Sequence, residues 1–338
     1  MKHAQSSLLR GTLLAAGLFV AMTAAPTYAQ SRKPVLLVGF QDQTLPETVA
    51  ASKVLEGAPY EVQWVTLTGP AAQLSALYSK AIDVGHMGDT SLIIEQGKAK
   101  EEWTPANVPL QIIAGWRAAD RKYPPIVTVA RTGSGIETLA DAKGRSWAHN
   151  FGGYNYLQYV LSLVKAGLTE KDIEAVRLPD NTTSAAAFNA GKVDLFSGGT
   201  LSVIDAIEAG KAKILVNSDE LDIPALNVFT ARGDVLRDPA KKAQIADFLS
   251  RLKAYWVWYP NHKAEIEAIF VEKLKQTPQR AKYAAAFQQS SFVALDDALV
   301  QREQRIAEVL LKSGVIGKKI DVGVEFNRDF NTAPVAQR

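Results

Sequence analysis

The chain has no cysteine among its 338 residues, and only four histidines and three methionines. The first absence excludes disulfide staples, thiolate metal sites and a thiol nucleophile, so the fold rests on its core alone. A surplus of one charge is missing too: 38 basic against 35 acidic side chains give +3. A balance so near neutral argues against nucleic acid or an anionic membrane as the main partner. Low-complexity linkers and sequence repeats are absent. No Ser-His-Asp arrangement, glycine-rich phosphate loop or HExxH is visible, and nothing calls for a cofactor.

Long apolar runs are scarce, and the conspicuous one lies at the start. Lys2 and Arg10 flank a positive segment, "GTLLAAGLFVAMTAA" follows, and "TYA" ends at Ala29. That order predicts a secretory signal peptide over residues 1–29, cleaved near Ala29. The run is shorter than the roughly 20 residues a membrane span requires. With no cysteine following, a lipid anchor at such a residue is excluded. Cleavage removes two cations and no acids, so +3 becomes +1. The expected compartment is the periplasm, and the remaining chain of about 309 residues is long enough for two lobes.

What is present is an alternation of strand-like and amphipathic runs, which predicts an α/β fold with parallel sheets. "PVLLVGF" (34–40), "YEVQWVTLTG" (60–69), "AIDVGHM", "LQIIAGWR" (110–117) and "IVTVARTG" (126–133) read as strands. A helix follows each of the first three, starting at Thr44, at Pro70 and at Asp89-Thr90. The series restarts after residue 133 with "SWAHN", "AVRLP", "VDLFS" and "AKILVNS", again with helices between. After "ALNVFTAR" (225–232) the composition shifts to long helices from Asp238-Pro239 to about Gly314. Crossings near Thr132 and Leu226 would insert one lobe in the other: 30–131 and 227–338 as lobe 1, 132–226 as lobe 2.

Ligands of open α/β sheets bind beyond the carboxyl ends of the strands, where helix N-termini present free N–H groups. Three junctions carry suitable residues there: "GFQDQT", "GHMGDTS" and "AHNFGGYNY". Backbone N–H groups bearing partial positive charge favour a carboxylate, sulfonate or phosphate. Asp89 and Thr90 also fit a plain helix cap, so each junction alone has two readings.

Taken in order, "GFQDQT", "EVQWVTLTGPAAQLSAL", "AIDVGHMGDTSLI", "TLADAKGRSWAHNFGGYNYLQYVLSLVKAGL", "DIEAVRLP", "AAAFNAGKVDLF" and "REQRIAEVLLKSGVIGKKIDV" resemble a known family. It is the periplasmic solute-binding proteins of nitrate, sulfonate and taurine ABC importers, with the aliphatic sulfonate branch nearest. The resemblance spans about residues 34 to 325. It implies a type II periplasmic-binding fold with two hinge crossings, acting as a monomer that catalyses nothing. It further implies capture of a small organic anion and delivery to an ABC permease driven by a cytoplasmic ATPase. Carried over by position, Gln41, Asp89, Thr90, Asn150, Gly153, Tyr154, Asn155, Ser197 and Gly198 would line the site. Thr90 Oγ and the N–H groups of Gly153 and Tyr154 would hold the anionic head, with Gln41 and Asn155 as side-chain donors. Asp89 would orient its loop, since two negative charges repel.

The family pattern breaks at one place. Where the sulfonate and taurine branches carry Trp-Asp-Pro, this chain has "SGGT" (197–200), and Phe151 replaces a usual basic residue. Loss of the acid argues against taurine. The glycine pair either leaves volume for a flat or bulky tail or makes only a tight turn. His86 and His149 flank the expected site without a third metal ligand and read as satisfied strand-end histidines. "AYWVWYPNH" (254–262) reads as core packing on a helix, and Arg117 as either an anion partner or a surface ion pair. Two rivals remain: a receptor for a membrane sensor kinase, and an enzyme on the same architecture. A pyrimidine synthase of that fold relies on a cysteine-rich stretch that this chain lacks.

Overall fold

The computed structural model describes residues 33–119 and 124–330; the expected signal peptide and Tyr123 lie outside them. The chain begins with β1 (Val35–Phe40), α1 (Thr44–Ser52), β2 (Glu61–Thr66), α2 (Pro70–Tyr78), β3 (Val84–Gly88), α3 (Thr90–Lys98) and β4 (Leu110–Ala118). It crosses to β5 (Ile126–Arg131), β6 (Ser146–Asn150), α4 (Gly153–Ala166), β7 (Glu174–Leu178), α5 (Asn181–Asn189), β8 (Leu195–Gly199), α6 (Ile204–Glu208) and β9 (Ala212–Asn217). It returns as β10 (Asn227–Arg232), α7 (Gly233–Arg237), α8 (Pro239–Trp258), α9 (Lys263–Glu272), α10 (Pro278–Gln288), β11 (Ser290–Val293) and α11 (Asp297–Lys312).

Two sheets result, in the orders β11-β4-β10-β3-β1-β2 and β7-β6-β8-β5-β9. In each, the leading strands pair in parallel, and a strand from beyond a crossing inserts antiparallel: β10 beside β3, and β5 beside β8. The two-lobed α/β architecture with two crossings is thus as expected. Both sheets are mixed rather than purely parallel, because the returning strand enters each one reversed. β5, expected in lobe 1, pairs with β8 and β9 instead, so the first crossing precedes Ile126 rather than falling near Thr132.

The helices after β10 are interrupted by β11, where the sequence predicts continuous helix. Its four residues, "SSFV", lie at a sheet edge and pair only with β4, far away in sequence. β3, Val-Gly-His-Met-Gly, is buried along its whole length, and its Gly85 leaves room for Leu77 and Gln73 of α2, which a Cβ there would meet at 3.0 and 3.1 Å. Beneath the first sheet, Phe248, Tyr255, Tyr259 and Phe270 of the C-terminal helices are fully buried. Tyr255 Oη bonds Thr48 Oγ1 at 2.6 Å, and Tyr259 Oη donates to Ala285 O at 2.9 Å, so these rings pack without losing their polar ends.

Candidate functional site

Strand order reverses between β1 and β3 in the first sheet and between β6 and β8 in the second. Ligand crevices of open α/β sheets lie beyond the strand ends at such points. Here Phe40 and Gln41, His86 and Gly88, Asn150, and Gly199 border two adjoining cavities. The smaller, about 40 Å³, is lined by Gln41, Gly69, Pro70, Gly88, Asn150, Gly152, Gly153, Tyr154, Asn155 and Asn181. The larger, about 280 Å³, shares Gln41, Tyr154, Asn155 and Asn181 and extends past Trp116, Asn227, Trp256 and Phe287. Among the described residues, no Lys or Arg lines either, and Asp42 is the one charged residue on their walls.

The smaller cavity is built around the start of α4. Gly152 precedes that helix at φ +90° and Gly153 opens it at φ +67°, a backbone path suited to glycine. No side chain caps the helix, so its positive end faces the cavity. Amides surround it: Asn155 Nδ2 donates to Asn181 Oδ1 at 3.3 Å, and that oxygen also accepts Gly199 N at 2.9 Å. Asn181 Nδ2 donates to Ser202 Oγ at 2.6 Å. Asn155 Oδ1 is buried without a partner.

One wall of the larger cavity is a ring stack. Phe40 and His86 lie 4.1 Å apart and 10° from parallel, and His86 and Trp116 lie 5.3 Å apart at 24°. Burial drives the His86 pKa down to about 4, opposed by the bond from Nε2 to Asn227 Oδ1 at 3.1 Å, so the ring is neutral at pH 7. Tyr154 Oη donates to the same oxygen at 3.1 Å, and burial holds its phenol above the usual range. The wall is therefore uncharged near pH 7 apart from Asp42.

The expected residues separate into groups. Gln41, Tyr154 and Asn155 border both cavities, and Asn150 and Gly153 border the smaller. Asp89, Thr90, Ser197 and Gly198 border neither. Asp89 Oδ1 accepts Thr90 N at 2.7 Å and Thr90 Oγ1 at 3.1 Å, while Oδ2 accepts Leu226 N at 2.8 Å. In return, Asp89 N donates to Leu226 O at 3.1 Å. The pair thus fastens β3 to the second crossing, and the Thr90 hydroxyl is spent on Asp89. Both Asp89 carboxylate oxygens are taken up by Thr90 and Leu226. Ser197 Oγ is buried in bonds with Thr128 Oγ1 at 2.7 Å and Trp147 Nε1 at 2.9 Å. Gly198 makes neither tail space nor a turn. It is in strand β8, and a Cβ there would fall 2.3 Å from Asn181 Oδ1.

Behind Asp89 lies Glu303 of α11, fully buried, with both oxygens lacking a hydrogen-bond donor. Burial and the Asp89 carboxylate push its pKa well up, which keeps it protonated beside Asp89. Phe151 has no role in either cavity. Its ring lies between Lys98 Nζ at 3.8 Å and the Arg177 guanidinium at 4.2 Å, linking α3 to β7. His149 stacks on Tyr159 at 3.9 Å, and Arg117 lines a separate cavity with Pro224, Leu226 and Arg302.

Sequence reasoning did not place Asn181, Asn227 or Trp256 at the site. "LPDNTT" puts Asn181 at a strand-to-helix junction of the same kind as the three singled out, so that signal was available. Asn227 faces Gly88 only because β10 runs antiparallel to β3. Within "AYWVWYPNH" Trp256 reads as core like its neighbours, yet it is half-buried at the cavity wall while Tyr255 and Tyr259 are buried.

Residues 107–264 match the family described as NMT1/THI5 like. No curated protein sequence matches the chain. Among solved structures, it is similar to the alkanesulfonate-binding protein SsuA of Xanthomonas axonopodis pv. citri bound to MOPS. That match has a TM-score of 0.74 at 19% identity, over 88% of this chain and 99% of that one. The periplasmic aliphatic sulphonate binding protein SsuA of Escherichia coli gives 0.70 at 19%, over 90% and 94%. A cysteine-to-serine mutant of DszB with biphenyl-2-sulfinic acid gives 0.57 at 13%, over 88% and 97%. At these identities the likeness shows the fold, which is that of the periplasmic binding proteins. Binding proteins and an enzyme share this architecture.

Proposed function

We propose that this chain is the periplasmic solute-binding receptor of an ABC importer for a small organic oxyanion, a sulfonate before others. The observation that carries the reading is the uncapped start of α4, which opens into a cavity walled by Gln41, Asn150, Asn155 and Asn181. Such a site offers neutral donors and a helix dipole, which suit a single negative charge without a fixed counter-cation. Residues from both lobes share the walls, so an occupant would favour their closure about the two crossings. The closed form would then dock on a permease energised by a cytoplasmic ATPase, the receptor acting as a monomer after export and signal cleavage.

A thermal-shift screen against sulfonates, sulfate esters, nitrate, carboxylates and pyrimidines tests this, because a ligand bound only to the native state raises the midpoint. An organic sulfonate or related anion should stabilise, and Asn155→Leu should abolish the response with the fold intact. Stabilisation by cationic or uncharged solutes alone would end the anion reading. The SsuA likenesses support it, and the DszB likeness gives an enzyme reading its one specific support. DszB was captured with its sulfinic acid as a cysteine-to-serine mutant, whereas this chain holds no cysteine. Conversion of an aryl sulfinate by the purified protein would favour the enzyme.

A further inference from the structure

We propose that the uncharged part of the solute is a flat aromatic ring, seated against the Phe40–His86–Trp116 stack; this rests on the oxyanion reading above. The larger cavity adjoins the α4 cradle through four shared residues, so a head held at the cradle directs its tail into the larger space. Rings dominate that space: beyond the stack stand Tyr154, Trp256 and Phe287, while the branched aliphatics are only Leu45 and Leu201. Phe40, His86 and Trp116 are each under 10% exposed and pinned by one another, so the wall is formed in advance. Aromatic pairs gain from offset or edge-on geometry beyond the area they bury, a gain open to a ring and closed to an alkyl chain.

His86 Nε2 and the Tyr154 hydroxyl both terminate on Asn227 Oδ1, which leaves His86 Nδ1 as the buried ring nitrogen without a partner on this wall. A cavity of about 280 Å³ falls just below the usual span of ligand sites, about 300–1,000 Å³. That suits one or two fused rings rather than a long chain, which would lose rotamer freedom on entry.

The test is calorimetry with two six-carbon anions, benzenesulfonate and hexanesulfonate, and the uncharged methyl phenyl sulfone. Benzenesulfonate should bind about tenfold tighter than hexanesulfonate, with a change in tryptophan emission from Trp116 and Trp256. Trp256→Leu should shrink that ratio, and Phe287→Leu serves the same purpose if the first variant fails to fold. Equal or tighter binding of hexanesulfonate overturns the aromatic inference and leaves the oxyanion reading standing. Binding of the sulfone alone, or of none of the three, overturns both.

Discussion

Two strand-to-helix junctions look alike in the sequence and behave oppositely. "GHMGDTS" ends β3 and "AHNFGGYNY" ends β6, and each sets glycine and small polar residues where a helix starts. At the first, an aspartate occupies the cap position and its carboxylate takes the nearby donors, Thr90 N, Thr90 Oγ1 and Leu226 N. At the second, glycine occupies the cap and no side chain closes the helix end. A junction that supplies its own acceptor becomes a structural fastener, and one that does not stays available to a ligand. The two also touch, since a Cβ on Gly88 would fall 2.6 Å from the Tyr154 ring.

The comparison is broken most forcefully at its acid. Asp89→Ala leaves the buried Leu226 N–H unanswered and removes the side-chain half of the tie to the second crossing, where Ala225 already adopts φ +54°. We expect a loss on the order of 3 kcal/mol in chemical denaturation. Wild-type stability would show that Asp89 is not a fastener. Gly88→Ala acts next, as a wedge between the lobes. Overpacking of about 1–3 kcal/mol falls on the closed form, so affinity should drop about 10- to 100-fold. Calorimetry and the radius of gyration with ligand check it together, and an unchanged affinity would mean the contact does not govern closure.

Glu303→Gln sharpens the role of the pair behind the first junction. The native carboxyl has a raised pKa, so the folded state binds more protons than the unfolded one above the usual 4.5. Stability from this group is complete at low pH and is lost as pH rises through that window. The variant should therefore match wild type near pH 4 and exceed it at pH 7, which thermal unfolding at the two pH values reads as a higher Tm at pH 7 only. A constant difference across pH would place the proton elsewhere. His86 and His149 supply the opposite limb: their lowered pKa values, about 4, cost stability as pH falls from 6.5 towards 4. Thr90→Val is the smallest change, near 1 kcal/mol for one lost bond. Ligand response should survive it, and a lost response would return Thr90 to the site.

The alternation of runs made the α/β class legible, and strand ends such as "GFQDQT" and "AHNFGGYNY" marked where a crevice would form. Boundaries and partners were less accessible. β5 reads as one more strand of the first series, and only its pairing with β8 and β9 assigns it to the second sheet. Ser197 and Gly198 sit at the expected strand end, but side-chain direction along β8 turns Ser197 into the core. The four orphaned oxygens of Glu303 and Glu325 could not be anticipated, since both residues occur in otherwise ordinary surface-like segments.

By itself the sequence determined the local chemistry of this protein: periodic apolar runs that must become strands and helices, and junction residues able to cap or to leave a helix open. The tertiary structure alone decided which junction stayed open. It did so by bringing Leu226 to Asp89, Glu303 behind it, and Asn181, Asn227 and Trp256 around α4. Short-range propensity acts through neighbours in the chain. Cavities and shared protons depend on groups far apart in the chain meeting in space, which no single segment encodes.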